Sequence, residues 1–136
     1  MKASQSIHFQ ALVLIAAVAS SGAAALASDC KDEARYPVIE REELASLIAK
    51  KQVVTVDVNS KESFSKHHVP GAIHYGSHKA DFAKQLPADK GALIVAYCGG
   101  PKCMAWKDAA EAACELKYTN IRHFKAGISG WEKKGS

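Results

Sequence analysis

Two cysteines, Cys98 and Cys103, enclose a short loop whose residues suit sulfur chemistry. Between them stand two glycines, a proline and a lysine. The glycines permit a tight backbone bend, and a proline suits the first position of a helix. The sequence therefore predicts that the amides of Lys102, Cys103 and Met104 are unpaired donors at a helix start, arranged around the Cys98 sulfur. Such donors favour the thiolate, the nucleophilic form of a cysteine.

Cys98 is the predicted catalytic residue, and the rest of the loop is predicted to bind the substrate. The substrate-binding set consists of Gly99, Gly100, Lys102, Cys103 and Met104. Lys102 adds a mobile positive charge. Cys103 has two interpretations: a resolving thiol that attacks a persulfide or sulfenate on Cys98, or a residue that only lines the pocket. A passive Cys98 in an ordinary turn and a structural Cys98–Cys103 disulfide are the remaining alternatives.

The segments around this loop predict an α/β fold. The apolar run 92–97 predicts a buried strand that ends at Cys98, and the β-branched run 53–58 predicts a central strand. Further strands are predicted at 38–39, 72–74 and 121–124, and helices at 40–50, 60–66, 80–85, 104–117 and 128–133. Alternating strands and helices predict a mostly parallel sheet with helices on both faces, and ligands of such sheets bind beyond the carboxyl ends of the strands. Cys98 lies at such an end.

Asp57 and His68 are predicted to support the site rather than to react. Asp57 ends the central strand, where it can accept hydrogen bonds from loop amides; an acid–base role is the alternative. His68 precedes a Pro-Gly turn and is predicted to form hydrogen bonds around it. Two thiolates alone do not make a zinc site, so neither a metal nor another cofactor is predicted.

Length, composition and net charge indicate which classes of binding partner the chain suits. The 136 residues fit one domain and carry a formal net charge of +4. The positive charges form no basic run and no patch interleaved with aromatic residues, so the sequence does not predict binding to nucleic acid. A mildly positive surface favours small anionic substrates.

The N-terminal segment has the pattern of a secretory signal peptide. Lys2 is followed by a continuous apolar run at 11–19, and the segment that ends at Ala27 has the small-x-small form of a cleavage site. Cleavage there predicts a periplasmic or secreted protein that no longer contacts a membrane; a retained N-terminal anchor is the alternative. The predicted organisation is a signal peptide at 1–27, a loose polar leader at 28–37 and one domain at 38–136.

Two further cysteines lie outside the loop. Cys114 falls on the inner side of the predicted 104–117 helix, among alanines, and is predicted to be a small buried apolar residue. Cys30 lies near the predicted new N-terminus and can be free, paired or joined to another chain.

Three segments, in order, resemble the signatures of rhodanese-like domains. They are residues 57–72, the active-site loop beginning at 97–100, and the closing segment 124–131. The resemblance covers residues 38–134 and implies a compact α/β domain with a central parallel sheet. It also implies a Cys98 persulfide intermediate and sulfurtransferase activity with donors such as thiosulfate. The Cys98–Cys103 spacing is similar to that of a subset of exported, single-domain members.

The chain departs from the family pattern at three positions. Cys103 stands where many catalytic members carry an arginine that helps to bind the anionic donor, and only Lys102 supplies a charge in its place. Asn59 and Ser63 stand where an arginine and a glutamate are common. Related phosphatases and arsenate reductases use a longer active-site loop that ends in arginine. This chain has neither the longer loop nor that arginine, so it fits those enzymes poorly.

The leading hypothesis is an exported sulfurtransferase without a cofactor. The Cys98 thiolate takes sulfane sulfur from thiosulfate or a persulfide, and a thiol, cyanide or Cys103 removes it. One alternative is a redox or sensing protein in which Cys98 and Cys103 cycle between dithiol and disulfide. The other is a non-catalytic rhodanese-like binding module. The sequence predicts no particular protein partner.

Overall fold

The computed structural model describes residues 29–133 and has an α/β fold built on one four-stranded sheet. The strands are β1 (Val54–Asp57), β2 (Ile73–His74), β3 (Ile94–Tyr97) and β4 (Ile121–His123), in the spatial order β2-β1-β3-β4. The α-helices in this part of the chain are α1 (Arg41–Ala49), α2 (Lys61–Lys66), α3 (Tyr75–His78), α4 (Phe82–Gln85), α5 (Trp106–Glu115) and α6 (Gly127–Glu132). The predicted parallel α/β architecture is confirmed, since every strand pair in the sheet is parallel.

The two central strands are buried on both faces, which explains their composition. β1 pairs with β3 from Val54↔Ile94 to Asp57↔Tyr97. Parallel strands covered on both sides are continuously apolar or β-branched rather than alternating. The carboxyl ends of parallel strands lie at one edge of the sheet, so this register brings the end of β1 beside the end of β3. Cys98 follows directly at that edge.

Side chains of β3 alternate between two apolar clusters. Ile94 and Ala96 pack on one face of the sheet with the buried side of α5. Val95 and Tyr97 point to the other face, into a cluster that includes Leu44 of α1. This period of two places Cys98 on the same face as Ala96 and α5.

The segment before α1 is held against the domain, so the expectation of a loose leader is wrong. Cys30 forms a disulfide with Cys114 of α5. The Tyr36 hydroxyl donates to the Cys30 carbonyl, and its ring packs edge-on against Trp106 at 5.8 Å between centroids. Cys114 is buried as predicted, but it is a disulfide partner rather than a simple apolar residue. Its partner lies 84 residues away, beyond the reach of any local pattern.

Most predicted elements are present with shorter bounds, and three are new. Ser60 caps α2 as its position predicts, because its side-chain oxygen accepts the Ser63 amide at 3.2 Å. The predicted strand at 38–39 is reduced to a single parallel bridge between Val38 and His123. The structure adds α3 and the 3-10 turn Lys79–Asp81 before α4, and a 3-10 turn Glu33–Arg35 before α1.

The N-terminal expectations lie mainly outside the described residues. The predicted signal peptide at 1–27 lies entirely outside the described residues. Among residues 29–133, no helix has the length and hydropathy to cross a membrane.

Candidate active site

The closing segment after β4 holds the backbone of the cysteine loop in place. The Cys98 carbonyl accepts the Ile128 amide at 2.9 Å, and the Gly99 carbonyl accepts the Ser129 amide at 3.0 Å. Both donors belong to the first turn of α6. The amides of a first helical turn have no acceptor within their own helix. The loop therefore satisfies the start of α6, and α6 in turn fixes the direction in which Cys98 leaves β3.

Gly127 makes the close approach between α6 and the loop possible. Its φ is +62°, a left-handed conformation that side chains disfavour. A Cβ at this position would lie 2.5 Å from the Cys98 carbonyl oxygen and 2.6 Å from the Gly100 nitrogen. The loop and the closing segment thus meet backbone against backbone, with no room for a methyl group.

The loop ends in a turn rather than in the predicted helix start. α5 begins at Trp106, five residues after Pro101. The Cys103 amide donates to the Gly100 carbonyl at 3.1 Å, which closes a four-residue turn with Pro101 at its second position. Proline is favoured there because its φ suits that position. The prediction that the Cys103 amide surrounds the Cys98 sulfur is therefore wrong.

Other amides of the loop stay free. In residues 29–133, the backbone nitrogens of Gly99, Lys102 and Met104 have no hydrogen-bond acceptor. Lys102 is exposed. The loop thus carries donors and a cation that can bind a negatively charged group, although they do not form a regular helix N-terminus.

Cys98 and Cys103 form a disulfide in this structure. Their Cα atoms are 6.3 Å apart, within the usual range for such bonds. The two cysteines differ in access: Cys98 is 2% exposed, whereas Cys103 is partly exposed. The structure therefore brings the Cys103 sulfur directly onto the Cys98 sulfur, and only Cys103 presents a side to solvent.

Asp57 ends β1 and lies beside Tyr97, the last residue of β3 before Cys98. It is fully buried, and its Oδ1 accepts the Asn59 amide at 2.7 Å. In the described part of the chain its Oδ2 has no hydrogen-bond partner. Burial and the neighbouring Asp57 carboxylate raise the pKa of Tyr97 above its usual range, and the Tyr97 oxygen accepts the Val69 amide at 2.9 Å. The Asn59 amide belongs to the segment that follows β1 and not to the cysteine loop, so a supporting role of Asp57 towards that loop stays a prediction.

In the described residues, neither His68 nor His74 forms a hydrogen bond with the cysteine loop. His68 donates from Nδ1 to the Phe64 carbonyl at 2.7 Å and stacks on the Phe64 ring. His74 donates from Nε2 to the Asn59 carbonyl at 2.9 Å. The Asn59 Oδ1 atom lies 3.6 Å from the position of a Cβ on Gly99. Asn59 follows the end of a central strand, and this position was the sequence signal that could have indicated it as a site residue. For His74, the sequence offered no signal other than its place in a short strand.

A cleft of about 290 Å³ opens beside the loop. Met104, predicted to bind substrate, lines this cleft with Pro101 and Val38. Met104 is 49% exposed and Val38 is 45% exposed, and they are the large apolar side chains most open to solvent in the described chain. Trp106 and His123 form part of its wall. Any molecule in this cleft lies next to the turn that carries Cys103.

His123 makes the stability of this wall depend on pH. The ring is 6% exposed and stacks on Trp106 at 3.7 Å between centroids. Burial lowers the pKa of His123 to about 4 from its usual 6.5, Lys125 acts in the same direction, and Glu33 opposes them. The unfolded chain therefore binds a proton between these pH values that the folded chain does not bind.

We expect the free energy of unfolding to fall by about 3 kcal/mol through His123 as the pH drops from about 6.5 to about 4. Urea unfolding across this range measures the loss. His123→Gln should flatten the pH dependence by about that amount, because the titrating group is gone. His68→Gln, at an exposed position, is the control and should keep the wild-type slope. Equal slopes in the wild type and His123→Gln would contradict the assignment.

The described residues hold no cluster of three or more histidine, cysteine, aspartate or glutamate side chains fit for a metal ion. Of the predicted set, Cys98, Gly99, Gly100, Lys102, Cys103 and Met104 all belong to the loop described above. Asp57 and His68 bond instead to Asn59 and Phe64, outside that loop.

Comparison with known proteins agrees with this geometry. A sequence profile of the rhodanese-like domain matches residues 40–134. The chain belongs to the rhodanese-like family. Among curated relatives, the thiosulfate sulfurtransferase GlpE of Shewanella oneidensis is 26% identical over 92 residues, which cover 67% of this chain and 87% of the relative. The protein YibN of Escherichia coli is 28% identical over 100 residues, which cover 71% of this chain and 68% of YibN.

Solved structures place the rhodanese-like fold on the same elements. A rhodanese-related protein from Thermoplasma volcanium superposes with a TM-score of 0.53 at 19% identity, covering 74% of this chain and 94% of that one. At this identity the likeness concerns the fold. It supports the central parallel sheet as the common scaffold of this rhodanese-like chain and that protein.

Proposed function

We propose that this chain is a sulfurtransferase in which Cys98 carries sulfane sulfur as a persulfide. The observation that carries the proposal is the position of Cys98 at the carboxyl end of β3, beside free loop amides. Gly99, Lys102 and Met104 offer these unpaired nitrogens. Fixed donors next to a sulfur stabilise negative charge without reorganising, which assists both a thiolate and a persulfide.

The reaction requires the reduced loop and proceeds in two transfers. The Cys98 thiolate attacks the sulfane sulfur of thiosulfate or of a small persulfide, and sulfite or a thiolate leaves. The product is a Cys98 persulfide. A thiol or cyanide then takes the outer sulfur and regenerates the thiolate. No step needs a metal or an organic cofactor, and Lys102 contributes the positive charge for an anionic donor.

The comparisons support this proposal in general terms. One relative is named a thiosulfate sulfurtransferase, and the rhodanese-like domain spans most of the chain. Because Cys103 replaces the expected arginine, the identity of the donor rests on Lys102 and on the free amides. Small anionic donors therefore fit the loop better than large or neutral ones.

Intact-mass analysis of the reduced protein after treatment with thiosulfate tests the proposal. We expect Cys103→Ser to gain about 32 Da, one sulfur atom, on Cys98. Cys98→Ser in the same background should gain nothing and should lose at least about 1,000-fold in transfer of sulfur to cyanide, because the nucleophile is absent. An adduct on the protein without Cys98, or none on the protein with it, would refute the proposal.

Thiol–disulfide exchange is a second candidate function, and the Cys98–Cys103 disulfide favours it. A protein that only exchanges disulfides would show a reversible dithiol couple but no sulfur adduct in the experiment above. The mass of the treated protein therefore separates the two functions.

We also propose that the protein acts outside the cytoplasm after removal of residues 1–27. The signal-like N-terminal pattern supports this location. The disulfides Cys30–Cys114 and Cys98–Cys103 support it as well, since disulfides persist mainly in oxidising compartments.

A further inference from the structure

Cys103 holds a position from which it reaches one atom of the proposed persulfide. The turn from Gly100 to Cys103 folds the loop back, and the Cys103 sulfur is bonded to the Cys98 Sγ atom. In a persulfide, Cys98 Sγ is the inner sulfur, and the transferable sulfur lies beyond it. The loop geometry therefore directs Cys103 at the inner sulfur, the attack that releases the outer sulfur as sulfide.

Cys103 is the thiol placed to reach the inner sulfur. The 2% exposure of Cys98 belongs to the disulfide form, in which the Cys103 sulfur covers it. In the persulfide, the transferred sulfur stands on the side from which the donor approached, so an external thiol meets that outer sulfur first. An internal thiol already placed within bonding range competes at a high effective concentration. Release of sulfide is then a property of this loop rather than of the surrounding thiols.

We propose that Cys103 completes the cycle by reducing the Cys98 persulfide to hydrogen sulfide. The proposal rests on the persulfide chemistry proposed above. The Cys103 thiolate attacks Cys98 Sγ, a Cys98–Cys103 bond forms, and the bond from Cys98 Sγ to the sulfane sulfur breaks. The electron pair leaves with the sulfane sulfur, which takes up the proton released by the Cys103 thiol. Counted from the reduced loop, the two cysteine thiols are oxidised to a disulfide, and the sulfane sulfur of the donor is reduced to sulfide.

The difference in access then determines how the loop reopens. Cys103 is the partly exposed sulfur of the pair, so an external dithiol attacks Cys103. Cys98 leaves as a thiolate beside the free amides of Gly99, Lys102 and Met104. The second thiol of the dithiol releases Cys103. Over a full cycle, one thiosulfate and one dithiol yield one sulfite, one hydrogen sulfide and one disulfide, so the activity is dithiol-dependent reduction of sulfane sulfur.

A single-turnover experiment tests this activity. The full chain is reduced, freed of reductant without air, and mixed with one equivalent of thiosulfate. Sulfide and the intact mass are then measured. We expect the wild type to release about one sulfide per chain and to end about 2 Da lighter than its reduced form, with Cys98 and Cys103 joined. Cys103→Ser should keep the adduct of about 32 Da and release at least about tenfold less sulfide.

Addition of a dithiol distinguishes a chemical role of Cys103 from a structural one. Cys103→Ser and Cys103→Ala should both release their stored sulfide once the dithiol is added, because the persulfide is intact and only the internal thiol is missing. Sulfide release from either variant at the wild-type rate without dithiol would overturn the proposal.

The remaining outcomes separate this inference from the proposed function. A wild type that keeps an adduct of about 32 Da and releases no sulfide would overturn the role of Cys103 and leave the sulfurtransferase proposal standing. If Cys103→Ser forms no adduct and the wild type releases no sulfide, both proposals fail.

Discussion

Replacing Gly127 by alanine should lower the free energy of unfolding by about 3 kcal/mol or more and prevent formation of the persulfide. The new Cβ would lie 2.5 Å from the Cys98 carbonyl oxygen and 2.6 Å from the Gly100 nitrogen. Both are backbone atoms, so relief requires a shift of the loop itself rather than of a side chain. The same shift would break the bonds from Ile128 and Ser129 that hold the loop carbonyls.

Gly71 provides a matched control for Gly127. Its φ is +77°, but a Cβ there would meet nothing within 4 Å. Gly71→Ala therefore carries only the cost of the left-handed conformation, about 1 kcal/mol. Urea unfolding of both variants, together with thiosulfate treatment, measures the difference. Equal losses for the two would mean that the contact with the loop contributes nothing beyond conformational strain.

Removing the Cys30–Cys114 disulfide should cost about 4 kcal/mol of stability. The bond closes a loop of 84 residues, so its loss restores a large conformational freedom to the unfolded chain. The double variant Cys30→Ala/Cys114→Ala tests this expectation by denaturant unfolding. Loss of the bond also frees the segment that brings Tyr36 against Trp106, so the wall of the cleft beside the loop should loosen with it.

The stability lost on removing the Cys98–Cys103 disulfide can be compared with that lost on removing Cys30–Cys114. Cys98 and Cys103 are separated by 5 positions, and the same chain-entropy relation gives about 2 kcal/mol for so short a loop. Cys98→Ala/Cys103→Ala should therefore lose about half as much stability as the other pair. An equal or greater loss would show that the Cys98–Cys103 bond, too, serves mainly to stabilise the fold.

The two bonds thus divide into one that joins distant elements and one that lies within the reactive loop. Cys30 and Cys114 are 2% and 6% exposed, which limits attack by external thiols on either sulfur. Cys103 is the more accessible sulfur of the loop pair. This contrast is what allows the loop to be opened by a dithiol while the long-range bond stays closed.

The sequence by itself determined the elements whose information is local. The β-branched run around β1 and the apolar run around β3 form strands because their side chains suit a sheet buried on both faces. Ser60 caps the start of α2 because its side chain accepts a hydrogen bond from Ser63, only three residues further along the chain. The position of Cys98 past the end of β3 follows from the same local pattern. The order of strands and helices then restricts the topology to a parallel sheet.

Only the tertiary structure decided the contacts between distant segments. The Cys30–Cys114 pairing, the approach of Gly127 to the Cys98 carbonyl and the stacking of His123 on Trp106 each join residues far apart along the chain. The start of α5 was missed because Pro101 suits both a helix start and a turn, and in the structure the Cys103 amide donates to the Gly100 carbonyl and closes a turn. Local preference leaves such choices open, because their energies differ little until packing of the whole domain adds long-range contacts that favour one of them.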